Sequence, residues 1–572
     1  MEIKLRPQQE YVLSRIKQSN KKLIIVNAPT GVGKSIINLL SANEIFGTAY
    51  ITTPLRILVD QYRNDIENKF AENNLGKTIM GRQSYDCAYN IQEELRYGKI
   101  VPQRMKFLKA DSGPCIEKKP TYFWEGHTYF WEGHKVKICP YRERGKCDYY
   151  NARDAAMISD VTLTTFDYFM KGIYPKIEQP IELSEGTTWN KRVGLIIDEA
   201  HNLPNKMTDM FTIEITRRTY PALQDDKQAR DNFDEIKHRI DSGESVRDAI
   251  TTFHLSYMTQ LQSIIDQINE KEELTDIEKN DKQRLLKLQY RLNNLIDNIN
   301  EENMILSMDD KHIQFRPFSP APYLKDFWKD FDRILLTSAT FFGLDQYMED
   351  LGLDMPYEYI EVPSTFPPEK GMIEFPLNVR LSRDNFQDTL PEIVHAVDTI
   401  LEKHPDERGL IHAHTYAYAK AIMEKTTQPD RIITHDSLTR SDALKEFLHS
   451  DRKDIVLLSV NMGEGLDLKD DLARFQIIVK CPYGNLGDPW TREHFNHSKK
   501  WYDYEAIKVI LQASGRIVRS EEDYGTTYIL DMRVYDLIKK YYDSMPLWFR
   551  ERIEAKEKVD MKKIQDELGL NF

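Results

Sequence analysis

The stretch KKLIIVNAPTGVGKSIINLLSANEI, residues 21–45, constrains the fold of this chain more than any other. A short apolar run, a glycine-rich turn and an apolar segment at helical spacing follow one another directly, which reads as strand, loop and helix. That is the opening of a parallel α/β unit. Inside it, APTGVGKS at 28–35 matches a phosphate-binding loop. Thr30, Gly31 and Gly33 let backbone N–H groups close on phosphates, Lys34 reaches the β/γ-phosphates, and the Ser35 hydroxyl ligates Mg²⁺. A chance Gly-rich turn is the alternative, and the strand before it and helix after it speak against that.

IIDEAH at 196–201 closes a second apolar strand with two carboxylates. Behind a phosphate loop, this placement lets Asp198 hold Mg²⁺ through its water shell and lets Glu199 orient and deprotonate the attacking water. Surface acids at a strand end are the bland reading. TAYITTPL (48–55), DVTLTTF (160–166) and RILLTSATF (333–341) complete a first series of short β-branched strands. GLIHAHT (409–415), DIVLLSV (454–460), FQIIVKCP (475–482) and TTYILDMR (526–533) form a second. The expected fold is α/β with two doubly wound parallel sheets.

At 572 residues the chain is too long for a single core. No apolar run approaches the ~18 residues that span a bilayer, and MEIKLRPQQEYV lacks a signal-peptide core, so a soluble cytoplasmic protein without membrane contact is expected. A net charge of −13 excludes a chain that coats nucleic acid with its whole surface, but not one with a local channel. Residues 81–150 carry 13 basic and 9 acidic residues, whereas residues 206–310 carry 14 and 22. The two interruptions of the first strand series therefore meet different surroundings. The acidic one contains Leu261, Ile264, Ile265 and Ile268, then Leu285, Leu288, Leu292, Leu295 and Ile299 beyond a polar break. An antiparallel helical hairpin is expected, with a dimerising coiled coil as the sharper alternative; the chain is read as a monomer.

Four of the five cysteines, Cys87, Cys115, Cys139 and Cys147, fall within 61 residues, while Cys481 stands apart and reads as a structural thiol. A disulfide framework does not suit a cytosolic chain, so the clustering points to a metal. Spacing alone leaves iron–sulfur, zinc and unrelated thiols open, because there is no C-x2-C knuckle.

Taken together, these motifs resemble those of the XPD/DinG type of superfamily 2 iron–sulfur DNA helicases, along nearly the whole chain. RPQQ at 6–9 is similar to the family's adenine-contacting element, TTPLRILVDQY to motif Ia, LLTSAT to motif III, SVNMGEGLDL at 459–468 to motif V and QASGRIVRSEEDYG at 512–525 to motif VI. GRQSYDC, ending at Cys87, and CDYYNAR, beginning at Cys147, resemble the flanks of the family's cluster ligands, with Ser84 and Asp148 departing from the pattern. The resemblance implies two RecA-like motor domains that bind ATP and Mg²⁺. Gln8 would contact the nucleotide, Gln512 would sense it, and Arg516 and Arg519 would act as arginine fingers. Glu464, Gly465 and Asp467 would link closure to grip on DNA.

By the same resemblance, Cys87, Cys115, Cys139 and Cys147 would ligate a [4Fe–4S] cluster, with zinc as the alternative. Single-stranded and forked DNA would be the partners, with protein partners at the acidic insert and movement 5′ to 3′. Rival readings are a translocase or remodelling subunit that does not unwind, an RNA-directed or zinc-stabilised helicase, and a nucleotide-sensing scaffold. The expected organisation is motor domain 1 at 1–80, a four-cysteine insert at 81–150, motor domain 1 again at 151–205 and a helical arch-like insert at 206–312. The last strand of motor domain 1 lies in 313–345, and motor domain 2 with a helical tail occupies 346–572.

TYFWEGHTYFWEGH at 121–134 writes one heptapeptide twice between Cys115 and Cys139. Strand propensity of TYFW around a Glu-Gly-His turn favours a hairpin in which the copies pair, with incidental DNA contact, over a dedicated platform for stacking bases.

Overall fold

The computed structural model describes residues 4–70, 75–91, 109–110, 128–131, 134–137, 139, 141, 144–178, 189–221, 231–271, 276–299, 302–436, 439–460, 470–518 and 522–556. Along the chain come β1 (Leu23–Asn27), β2 (Ala49–Thr53), β3 (Lys77–Thr78), β4 (Thr128–Trp131), β5 (His134–Lys137), β6 (Val161–Thr165) and β7 (Gly194–Asp198). Next are β8 (Ile213–Thr216), β9 (Met304–Met308), β10 (His312–Pro317), β11 (Arg333–Ser338) and β12 (Tyr357–Glu361). The second half contributes β13 (Ile373–Glu374), β14 (Gly409–His412), β15 (Ile432–Thr434), β16 (Val456–Ser459), β17 (Phe475–Ile478) and β18 (Thr526–Ile529).

Two parallel sheets organise the molecule, as the strand series requires. The first runs β12-β1-β11-β7-β2-β6-β3 and the second β13-β18-β17-β14-β16-β15, with every ladder parallel. β1, β2, β6 and β7 are buried at every residue. Their β-branched, apolar sequences follow from this, because a parallel sheet is covered on both faces. In the first sheet β1, β11 and β7 are neighbours, so their carboxyl ends, Asn27, Ser338 and Asp198, lie side by side. Ligands of open parallel sheets bind at such an edge.

The acidic insert carries the expected helical pair, Val246–Asn269 and Asp276–Ile299. Leu261, Ile265, Leu292 and Ile299 are buried between them, and Gln289 Nε2 donates to Gln262 Oε1 at 2.7 Å. Beneath the pair lie a helix at Asp231–Asp241 and an antiparallel sheet β8-β10-β9, which the sequence reading did not anticipate. The alternating burial of HIQFRP in β10 is the period-two signal for it. β10 crosses residue 312 and pairs only with insert strands. Its far end is held by the second half: Trp490 Nε1 donates to the Pro317 carbonyl at 2.8 Å, Arg316 lies over the Trp490 ring at 3.8 Å, and His494 stacks on Phe318 at 4.0 Å.

Of the duplicated heptapeptide, the second copy supplies β4, which pairs antiparallel with β5 in the register Thr128–Lys137 to Trp131–His134. That partner starts on His134, the last residue of the second copy, and runs into the segment after the repeat; the first copy, at 121–127, lies outside the described residues. No helix among the described residues is long and apolar enough to cross a membrane.

Candidate active site

The phosphate loop leaves β1 at Asn27 and is tied to β11 by Ala28 N–H donating to the Ser338 carbonyl at 2.8 Å. Gly31 and Gly33 adopt φ of 85° and 87°, where a side chain is strained. Gly33 is also hemmed in, since an added Cβ would lie 2.4 Å from Gln9 Nε2. That amide donates to the Val32 carbonyl at 3.0 Å, Gln9 Oε1 accepts from Arg6 N–H at 2.9 Å, and Arg6 Nη1 donates to the Gly31 carbonyl at 2.7 Å. Within RPQQ it is therefore Gln9 that reaches the loop, while Gln8 sits half-buried beside it. The i to i+3 spacing of Arg6 and Gln9 across the first helical turn was the available signal.

Lys34 opens the following helix, and its Nζ lies 3.4 Å from Glu199 Oε1 and 3.5 Å from the Ala28 carbonyl. Asp198 ends β7 and is buried. Its carboxylate accepts from the Tyr62 hydroxyl at 2.9 Å, the Thr337 hydroxyl at 3.1 Å and Glu199 N–H at 3.0 Å. Asn38 braces both hydroxyls, donating to Tyr62 at 2.9 Å and Thr337 at 3.0 Å. Half-buried Ser35 shares the hydrogen bonding around Tyr62. Tyr62, Asn38 and Thr337 escape sequence reasoning because they meet only in the folded sheet.

Glu199 stands in the left-handed region at φ 49°. For a non-glycine residue this costs about 1–3 kcal/mol and persists only where neighbours impose it. Here His201 Nδ1 lies 3.4 Å from Glu199 Oε2 and 2.6 Å from Ser338 Oγ, tying the acid to the end of β11. Burial pushes both carboxyls up, and the two part company through their neighbours. Asp198 goes above its ordinary value through burial and the adjacent Glu199 charge. Glu199 is held well below its own, because the Lys34 ammonium and His201 outweigh burial. Glu199 therefore remains an ionised acceptor, the state a base for water requires.

The second sheet reaches this edge through the helix Lys499–Ser514. Gln512 Nε2 approaches Asn202 Oδ1 at 3.5 Å, and the Gly515 carbonyl accepts from the Thr30 hydroxyl at 3.2 Å. Arg516 is half-buried near His412 at the end of β14; burial, then the Arg516 charge, pushes that imidazole down to about 4. Arg519, Glu464, Gly465 and Asp467 lie outside the described residues. The structure thus gathers Thr30, Lys34, Asp198, Glu199 and Gln512 at one edge.

Cys87, Cys139 and Cys147 line one recess, shared with Arg82, Tyr89, Tyr141, Tyr149 and Tyr150. Arg82 lies over the Tyr149 ring at 4.6 Å and donates to the Tyr150 hydroxyl at 3.1 Å. Three thiols around one cation-flanked recess are a donor set suited to iron–sulfur or zinc. Among the described residues, however, no three His, Cys, Asp or Glu side chains are gathered closely enough to hold a metal ion, and Cys115 lies outside them. Cys481 is buried in the second half, and burial raises its thiol far above the ordinary range, which suits the structural role expected of it.

Residues 6–105 match the DEAD/DEAH box helicase family, 132–220 the DEAD_2 family and 397–552 the helicase C-terminal domain. ATP-dependent DNA helicase CHL1 of Vanderwaltozyma polyspora is 20% identical, over 81% of this chain and 69% of its own length. The CHL1 of Debaryomyces hansenii is 20% identical over 73% and 60%. A Fanconi anemia group J protein homolog of Gallus gallus is 28% identical over 20% of this chain and 10% of its own. This chain thus spans about two thirds of the length of the CHL1 relatives. Among solved structures, Xpd4 of S. tokodaii superposes with a TM-score of 0.56 at 15% identity, covering 94% of this chain and 98% of that one. An XPD helicase does so with 0.58 at 16%, covering 95% and 98%.

Proposed function

We propose that the chain is an XPD-like superfamily 2 helicase, an ATP-dependent DNA helicase that moves 5′ to 3′ on single strands and separates duplexes, a reading supported by its three helicase-family matches and its CHL1 relatives. The observation that carries the reading is the meeting of Lys34, Asp198 and Glu199 at the carboxyl edge of the first sheet, with Gln512 and Gly515 arriving from the second. A nucleotide between two such sheets is hydrolysed only when they close, and closure is the motor's stroke. Lys34 grips the terminal phosphates, and Glu199 takes the proton from water. Arg516 and Arg519 offset the charge that builds on the transferred phosphoryl group. Ser35 and Asp198 would hold Mg²⁺, which neutralises phosphate charge. Gly465 and Asp467 would relay closure to the strand.

Cys87, Cys115, Cys139 and Cys147 would hold a [4Fe–4S] cluster, which would cross-link the insert through thiolate bonds. The shared recess of three of these thiols supports the assignment. The motor domains would divide as the sequence suggests, with the helical insert extended to Pro317 on the pairing of β10.

The test is hydrolysis and strand displacement by the whole chain, on forks of both polarities, beside Glu199→Gln. Single-stranded DNA is expected to stimulate hydrolysis, 5′-tailed forks to open, and E199Q to lose on the order of 10²-fold or more in kcat. Hydrolysis without displacement would leave a translocase. About four irons per chain support the cluster, and stoichiometric zinc without iron would overturn it.

A further inference from the structure

The segment leaving β11, Ser338 to Gly343, is bonded to both motor halves at once. Phe341 N–H donates to Asn27 Oδ1 at 3.3 Å, and Phe341 packs edge-on against Tyr347 in the first core, 5.3 Å between centroids. Its neighbour Phe342 enters a different core, edge-on against Tyr504 of the second half at 4.7 Å. Gly343, at φ 65°, fits only because it has no side chain: an added Cβ would lie 2.2 Å from Tyr504 Cδ2.

A third party sits on this joint. The helix at 547–556, which follows the second sheet, starts against the first: Leu547 N–H donates to Glu361 Oε1 at 3.0 Å, at the end of β12. One residue on, Trp548 Nε1 donates to the Ala339 carbonyl at 3.1 Å in a buried bond. A turn later Arg552, 6% exposed, donates through Nη1 to the Ser514 carbonyl at 2.9 Å, with its guanidinium 4.9 Å from the Trp548 ring centre. Both carbonyls stand beside chemistry. Ala339 follows Ser338, which bonds His201, and Ser514 precedes Gly515, which bonds Thr30, and Arg516. One helical turn therefore fixes the distance between the end of β11 and the start of the arginine-bearing segment. A buried carbonyl that loses its donor is left unsatisfied, so either bond resists change in that distance.

We propose that Trp548 and Arg552 are positioning residues for the ATP hydrolysis put forward above: the tail helix is a strut that sets Gln512 and Arg516 against the phosphate loop when the cleft is closed. This inference rests on the ATPase reading. Its prediction is selective, because the strut touches backbone carbonyls and no nucleotide. Trp548→Phe keeps the ring and removes the N–H; Arg552→Gln removes the charge, and Arg552→Lys restores a cationic donor.

The experiment is steady-state hydrolysis with saturating single-stranded DNA, with kcat, KM for ATP and the melting temperature measured for each variant. W548F is expected to lower kcat on the order of tenfold to hundredfold, as misplaced catalytic groups do, with KM within about twofold and melting nearly unchanged. R552Q is expected to behave alike, and R552K to recover part of the loss. Wild-type kcat in W548F and R552Q overturns the strut. So does a fall in kcat that only tracks the fraction of unfolded protein. If W548F does not fold, the R552Q and R552K pair decides by the same criteria. Absence of any DNA-stimulated hydrolysis in the wild-type chain would instead overturn the ATPase reading, which separates the two failures.

Discussion

Asp350 shows how a single carboxyl is tuned away from the catalytic edge. It is 9% exposed, accepts from Gln346 Nε2 at 3.0 Å, and burial pushes it up to about 6 against the pull of the Lys508 charge. The folded chain thus favours the protonated acid over the ordinary value of 3.8. Stability is highest below that value, falls as pH rises, and carries the full penalty above about 6. Asp350→Asn keeps an acceptor for Gln346 and carries no charge, while Lys508 keeps Glu505 at 2.7 Å. It is expected to stabilise the chain by about 1–3 kcal/mol near neutral pH and to lose that gain by about pH 4. Denaturant melts at both pH values check this, and an equal gain at both would reject the titration account. Lys34, Asp198 and Glu199 were legible at this same scale, because a phosphate loop and a strand-ending acid pair are local patterns. Gln8 and Gln9 are adjacent and alike in sequence, and only the fold shows that Gln9 is the one bonded to the loop at Val32.

Among the elements, the helical insert shows what periodicity conveys. Its helical pair follows from apolar spacing, whereas β8 reaches the β9–β10 hairpin only across the intervening helices, a distant pairing that no local pattern records. The duplicated heptapeptide was expected to pair copy with copy; its second copy supplies β4, whose partner β5 starts on that copy's last residue, His134, and continues beyond the repeat. Docking of Arg316, Pro317 and Phe318 on the helix Pro489–His497 ties the insert to the second sheet, although the chain threads it through the first. Trp490→Phe removes the donor to Pro317 and narrows the platform under Arg316. Strand displacement is expected to fall on the order of tenfold, with DNA-stimulated hydrolysis within about threefold, the share expected of one buried hydrogen bond. Parallel measurement of the two rates checks the split, and equal loss in both would place Trp490 in the motor rather than in the insert's anchorage.

Across the whole molecule, charge separates by region. The chain carries −13 overall, so the proposed grip on DNA calls for local lysine and arginine contacts to phosphates and not for a general field. Affinity for a single-stranded oligonucleotide is accordingly expected to fall about tenfold or more between about 50 and 200 mM salt, measured by fluorescence anisotropy. A flat response would argue for grip by base stacking. The amino-acid sequence by itself determined the strand segments of the two sheets, the phosphate-loop motif and the acid pair that closes β7, because each is a pattern within a few residues. Tertiary structure alone decided which elements the two halves share. Phe341 and Phe342 adjoin in sequence and enter separate cores, Trp548 and Ala339 lie 209 positions apart and share a buried bond, and Thr30 meets Gly515 across the cleft. No local preference encodes such contacts, since their free energy comes from surfaces that exist only once both sheets have formed.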